Sequence, residues 1–169
     1  TGGASRGNHP VAGALWAAGT AGLTAAVPEF TDLMGEHLDA GTRRFLTQVV
    51  SRQVRTLCDL QAENGMWHTV LDDPYSPQES SATAGMAYGM LRGVRLGLLD
   101  EAVVEPALRA ARAVWQRIDA AGIVLEAPKG TMVGHDHPYQ CDIAICPDAF
   151  AQALTMLPQP PHDKGPWRQ

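Results

Sequence analysis

Residues 65–97 open as Gly65-Met66-Trp67-His68-Thr69-Val70-Leu71-Asp72, pass through Glu79-Ser80-Ser81-Ala82-Thr83-Ala84, and continue with Gly85, Gly89, Gly93 and Gly97. Glycine at every fourth position places the four on one ridge of a helix. Each costs roughly 1 kcal/mol of helix stability relative to alanine. Such a ridge is expected where a second helix approaches closely. The loop before it carries Trp67, His68, Asp72, Tyr75 and Glu79 towards the start of that helix, a candidate mouth for a polar ligand.

Working outward, the rest of the chain also reads as helix. Pro10 suits the first turn of a helix running to Val27 and ended by Pro28. Gly13, Ala17, Ala21 and Ala25 give it a second small-residue ridge. A second helix is expected over 40–63, with Leu46, Val49, Val50, Val54, Leu57 and Cys58 on one face and Asn64-Gly65 as its stop. The third covers 80–96, with Ser80 or Ser81 as N-cap. Pro106 opens a fourth, with Leu108, Ala111, Val114, Trp115 and Ile118 inward and Gly122 ending it. Ile123-Val124-Leu125 is an extended segment or hairpin arm. A fifth helix follows over 147–156. The first and third helices read as buried on all sides, the second and fourth as amphipathic. That alternation predicts an all-α fold, an α/α toroid with inner helices wrapped by outer ones. The expected organisation is one partial α/α domain over 1–157 and a Pro-rich tail over 158–169.

Composition limits the function. The chain has 169 residues, 45% hydrophobic and 18% charged, enough for one domain with a core. A net charge of -5 without a basic block argues against nucleic acid and anionic membranes as partners. The run Val11–Val27 is mostly alanine and glycine, which suits a buried helix better than a membrane span. Three cysteines, an odd number, are expected as free thiols in a reducing, cytoplasmic setting. With no initiator methionine and no signal peptide, the sequence reads as part of a longer protein.

The stretch Gly65–Asp72, with Glu79–Ala84 and Gly93-Val94-Arg95-Leu96-Gly97, resembles family 105 glycoside hydrolases, the unsaturated rhamnogalacturonyl hydrolases. Ser5-Arg6-Gly7-Asn8 is similar to the core of that family's Trp-x-Arg-Gly-Asn-Gly-Trp segment. Gly130-Thr131-Met132-Val133-Gly134-His135-Asp136 is similar to its Gly-Thr-x-Val-Gly-x-Asp loop. Ala4 and His9-Pro10 stand where the motif has aromatic residues that wall a sugar pocket. The resemblance implies the C-terminal half of an (α/α)6 barrel. The implied chemistry is protonation and hydration of the enol ether double bond of a terminal unsaturated uronic acid, unlike the two-carboxylate displacement of most glycosidases. It needs a carboxylic acid kept protonated near neutral pH. The family's aspartate for that role lies upstream of the Arg-Gly-Asn segment and has no counterpart here. No catalytic residue is therefore assigned, and the chain by itself is expected to be inactive.

The resemblance makes Arg6 the partner of the substrate carboxylate and Thr131 a ligand contact. Trp67 offers a flat face for sugar stacking, or else fills the core. His68, Glu79 and Ser80 are the remaining substrate-binding candidates, although Glu79 could equally serve as a helix cap. Asp72 and Asp73 suit a turn before Pro74. His135, His137, Cys141 and Cys146 do not have a standard zinc spacing. No metal or cofactor is expected. The expected partner is a small oligosaccharide with a terminal unsaturated uronic acid, with a homodimer covering an open half-barrel edge as a further possibility. The competing readings are a non-catalytic sugar-binding half-barrel and an α/α toroid of another activity, such as a sugar epimerase.

Overall fold

The computed structural model describes residues 15–128, 144, 146–147 and 149–157. Among the described residues the α-helices are α1 (Ala17–Met34), α2 (Ala40–Leu60), α3 (Ser80–Arg95), α4 (Val104–Trp115) and α5 (Ala149–Met156). Short 3-10 turns, Gly35–His37 and Glu101–Val103, precede α2 and α4. Among the described residues extended pairing is confined to isolated bridges. The expected all-α class is what the chain forms.

The central element is α3. From Ser80 to Met90 every residue is buried except Tyr88, because α1, α4 and α5 all pack around it. The amphipathic reading holds for α2, which turns Val50, Val54 and Leu57 into the same core as Trp67, Met86 and Met90. Asp39 caps α2, its Oδ1 accepting the Gly41 and Thr42 N–H groups at 2.9 and 3.0 Å. On α4 the inward face is Ala107, Ala110, Ala113 and Val114. Trp115, expected inward, is 61% exposed: the alanine stripe, small enough for close approach to α3, takes the inner position and rotates the indole outward.

The glycine ridge is real at three of its four positions. A Cβ on Gly85 would sit 3.3 Å from the Ala21 Cβ, and one on Gly89 2.2 Å from the Thr24 carbonyl oxygen. Gly93 instead accommodates the Leu99 side chain, 2.5 Å from where its Cβ would be. Gly97 lies beyond the helix with φ +67°. There the Leu98 N–H bonds Gly93 O at 2.9 Å and the Gly97 N–H bonds Val94 O at 2.9 Å, a Schellman stop.

The first helix departs most from expectation. Trp16 is extended and α1 begins at Ala17, so no helix runs through from Pro10. Nor does Pro28 end it; the helix continues to Met34 with Pro28 inside and buried. Proline removes an N–H that would bond the Thr24 carbonyl and costs an isolated helix about 3 kcal/mol. Tertiary contacts hold the helix through it. The Thr24 carbonyl lies against Gly89. Gln53 of α2 donates to Thr20 O at 2.9 Å and to Thr24 Oγ1 at 2.6 Å.

Beyond the proline, Glu29 and Asp32 are clamped to α3. Arg92 Nε donates to Glu29 at 2.7 Å, its Nη2 to Asp32, and the Tyr88 hydroxyl to Glu29. The Tyr88 hydroxyl and the Arg92 guanidinium hold the Glu29 carboxyl below the usual range. Burial, with Glu29 beside it, pushes the Tyr88 phenol up to about 12. Both acids are about half exposed, so screening limits the value of the cluster. Arg92→Met is expected to cost about 1 kcal/mol in urea unfolding, with the difference shrinking at high salt.

Burial on all sides, expected of α1, holds only for its inner stripe: Ala17, Ala21, Thr24, Val27, Pro28 and Thr31. Leu23, Phe30 and Leu33 are 44%, 44% and 85% exposed on another flank. The second helix ends at Leu60, earlier than its pattern suggested, and Gly65 (φ +89°) instead closes a turn in the loop that follows. No helix among the described residues is long and apolar enough to cross a membrane.

Candidate active-site mouth at the start of the third helix

The loop between α2 and α3 folds back on itself as a short hairpin. Gln61 donates to Gly65 O at 2.9 Å and Pro106 O at 3.0 Å, anchoring the exit from α2 against α4. Asn64 Oδ1 accepts the Met66 N–H at 3.1 Å, and Asn64 Nδ2 donates to Gln78 Oε1 at 2.8 Å. The two arms pair through His68 and Gln78, with Thr69 N bonded to Pro77 O at 2.7 Å and Glu79 N to Trp67 O at 3.1 Å. Ser76 holds the tip: its Oγ accepts the Val70 N–H at 3.1 Å and lies 2.8 Å from Asp73 O. Asp72 and Tyr75 therefore face solvent, Tyr75 with 95% of its surface exposed.

The inner arm of that hairpin joins three elements at the N-terminal end of α3. Ala17 N donates to Thr69 O at 3.0 Å and Leu71 N to Leu15 O at 2.8 Å, fixing the start of α1. Ser80 N donates to Glu126 O at 2.8 Å and Ser80 Oγ to Leu125 O at 2.6 Å. That second segment leaves α4 through a turn at Gly122 (φ +81°) and a bridge between Ile118 and Val124, so Ile123-Val124-Leu125 is a hairpin arm. Glu126 takes a left-handed backbone (φ +55°), uncommon for a residue with a side chain. Its carboxylate pairs with Arg117 while its carbonyl meets Ser80. Neither Ser80 nor Ser81 is the N-cap; Glu79 holds that position and both serines lie in the first turn.

Of the six binding candidates, the structure brings Trp67, His68, Glu79 and Ser80 to this mouth. Arg6 and Thr131 lie outside the described residues, as do His135, His137 and Cys141. Trp67 is completely buried. Its indole N–H donates to Leu57 O at 2.9 Å, and its backbone N–H bonds Thr83 Oγ1 at 3.2 Å. Its faces are covered by core side chains, so sugar stacking is closed to it and core filling is its role. Trp67→Phe should accordingly cost about 2 kcal/mol in thermal or urea unfolding, from the lost hydrogen bond and the space left. Saccharide affinity should not change beyond that loss of stability.

His68 is half-buried, with Nδ1 2.5 Å from Ser76 O. Glu79 is 1% exposed. Ser81 Oγ donates to its Oε2 at 2.6 Å, whereas Oε1 has no hydrogen-bond partner among the described residues. Burial pushes its carboxyl up to about 7, against the opposing pull of the Ser81 hydroxyl and the Ala82 N–H. Sequence reading missed Thr83, whose hydroxyl donates to Glu79 O at 2.7 Å while accepting from Trp67. Its place one turn after Glu79 was the available signal. Cys58 and Cys146 are free thiols, and burial raises the Cys58 thiol. No cluster of three or more metal-ligating side chains occurs among the described residues.

Comparison with known proteins places this geometry. The chain is 37% identical over 81 residues to the unsaturated rhamnogalacturonyl hydrolase YesR of Bacillus subtilis, covering 48% of this chain and 22% of that protein. A solved structure described as a possible member of the GH105 family, from Salmonella enterica, matches at 38% identity and a TM-score of 0.82. It covers 85% of this chain and 38% of its own. A second such structure, from Klebsiella pneumoniae, matches at 36% identity and a TM-score of 0.83, covering 86% and 38%. The chain thus spans well under half the length of these relatives, and its fold is part of an α/α toroid. The model of Glycosyl Hydrolase Family 88 runs from residue 2 to residue 159, and the chain belongs to that family.

Proposed function

We propose that the protein acts on oligosaccharides ending in an unsaturated uronic acid, protonating and hydrating the enol ether so that the neighbouring sugar is released. The observation that carries this reading is the 37% identity to an unsaturated rhamnogalacturonyl hydrolase over 81 residues. In this reading Arg6 pairs with the uronate carboxylate, Thr131, His68, Glu79 and Ser80 contact sugar oxygens, and the reaction takes place in a reducing cytoplasm. Free Cys58 and Cys146 accord with that setting.

The general acid belongs to the part of the fold that this chain does not span. A chain covering 38% of a GH105-like structure therefore favours a second reading for the isolated polypeptide: a sugar-binding half-site without turnover. One assay addresses both readings, by following loss of double-bond ultraviolet absorbance with unsaturated galacturonyl-rhamnose. The longer protein is expected to consume the substrate and the 169-residue chain to leave it intact. Turnover by the short chain would end the half-site reading; inertness of the longer protein towards every unsaturated uronyl disaccharide would end the first.

A further inference from the structure

The first helix carries two seams, and the fold fills one of them. Ala17, Ala21, Thr24, Pro28 and Thr31 recur in steps of four and three, and all five are buried. Gly19, Leu23, Ala26, Phe30 and Leu33 recur in the same steps on the opposite side, and all five are exposed. With 3.6 residues per turn, each set keeps within an arc of about 80°. Such a repeat is the pattern of a helix-to-helix contact rather than of a solvated face. No charged residue interrupts the second seam. Gly22, beside it, has no explanation within the chain: a Cβ there would meet nothing within 4 Å, although glycine weakens a helix interior. On α3 the same residue type has a visible reason, since Gly89 admits the Thr24 carbonyl.

We propose that this second seam is a docking surface for a helix from the part of the toroid that the chain does not span. The length of that part argues for it. The match to the Salmonella enterica structure covers 85% of this chain but 38% of that one, so most of that fold is polypeptide without a counterpart here. The chain itself shows what an enclosed helix looks like. α3 packs against both α1 and α5, and from Ser80 to Met90 only Tyr88 escapes burial. α1 packs against α3 and α2, yet Leu33 stays 85% exposed and Leu23 and Phe30 44% each. Closing the ring gives α1 a neighbour on its free seam. The incoming helix is uncharged where it touches, with bulky apolar side chains over Gly22 and Ala26 and small ones against Phe30 and Leu33. An apolar stripe of this length left in water favours association. None of this depends on which sugar the protein acts upon.

Thiol labelling reads the seam directly, with iodoacetamide and the modified peptides followed by mass spectrometry. Leu33→Cys and Ala26→Cys place a thiol on the seam; Gln48→Cys, exposed on α2, is the reference. In the 169-residue chain all three should react at similar rates. In the longer protein the two seam thiols should slow by about tenfold or more relative to the reference. Equal rates in the two proteins would overturn the proposal, because the seam would then be free in both. Slow labelling of the short chain that quickens on dilution would overturn it too, by showing that a second copy is the occupant. Gly22→Leu supplies a second reading through urea unfolding. The substitution should raise the midpoint of the short chain, where the space is open, and lower that of the longer protein, where a helix fills it. A rise in both would refute the docking surface.

Discussion

Gly89→Ala is expected to destabilise the protein by about 3 kcal/mol, the largest loss from any single methyl group among the described glycines. Its Cβ would lie 2.2 Å from Thr24 O, 2.5 Å from Thr24 C and 2.8 Å from Ala25 N. All three are backbone atoms, so no rotamer change can relieve the clash and α1 must move off α3. The gain of about 1 kcal/mol in helix propensity is too small to offset that. Two neighbours make internal controls. Gly85→Ala meets the Ala21 Cβ at 3.3 Å, and a small shift should keep it near neutral. Gly22→Ala meets nothing within 4 Å and should stabilise by up to about 1 kcal/mol. Urea unfolding of the three variants checks the order; equal midpoints for the variants at 85 and 89 would show that the crossing is looser than described.

Stability should also fall with rising pH because of Glu79, and Glu79→Gln should abolish that component. Folding raises the carboxyl from its ordinary value of 4.5 to about 7. Between those values the native state holds a proton that the unfolded chain releases. Stability from this group is thus fully present below about 4.5 and is lost as pH rises through about 7. At about 1.4 kcal/mol per pH unit, the loss is on the order of 3 kcal/mol. Burial is the leading cause, opposed by the Ser81 hydroxyl and then the Ala82 N–H. Subtracting the pH profile of the variant from that of wild type removes the contributions of every other acid. A flat difference curve would mean that Glu79 titrates as an ordinary surface carboxyl.

Much of this architecture was legible because its signals are local. The faces of α2 follow from the spacing of Val50, Val54 and Leu57, and the buried character of α3 follows from its small residues. What could not be read depends on residues distant in sequence. Pro28 is a stop signal by every local rule, and only contacts from Gln53, Gly89 and Arg92 carry α1 past it. Trp67 could be either platform or core, a choice settled by the Leu57 carbonyl ten residues earlier. Trp115 was misplaced because alanines, weak on any hydrophobicity scale, won the inner face by being small. At the mouth, the candidate status of Glu79 and Ser80 was legible from the Glu-Ser-Ser run. The burial of one Glu79 oxygen without a partner among the described residues was not, since it depends on the three elements that converge there.

The crossing of α1 and α3 gives its two backbone specialists unequal freedom. The ring of Pro28 leaves the Thr24 carbonyl without its usual donor, and that carbonyl is the atom facing residue 89. A residue with an N–H at 28 would restore a bond within α1 and leave the junction closed. At 89, nothing but hydrogen fits in place of a side chain. Substitutions can accumulate at one partner while the other stays locked, so drift through this junction runs in a single direction.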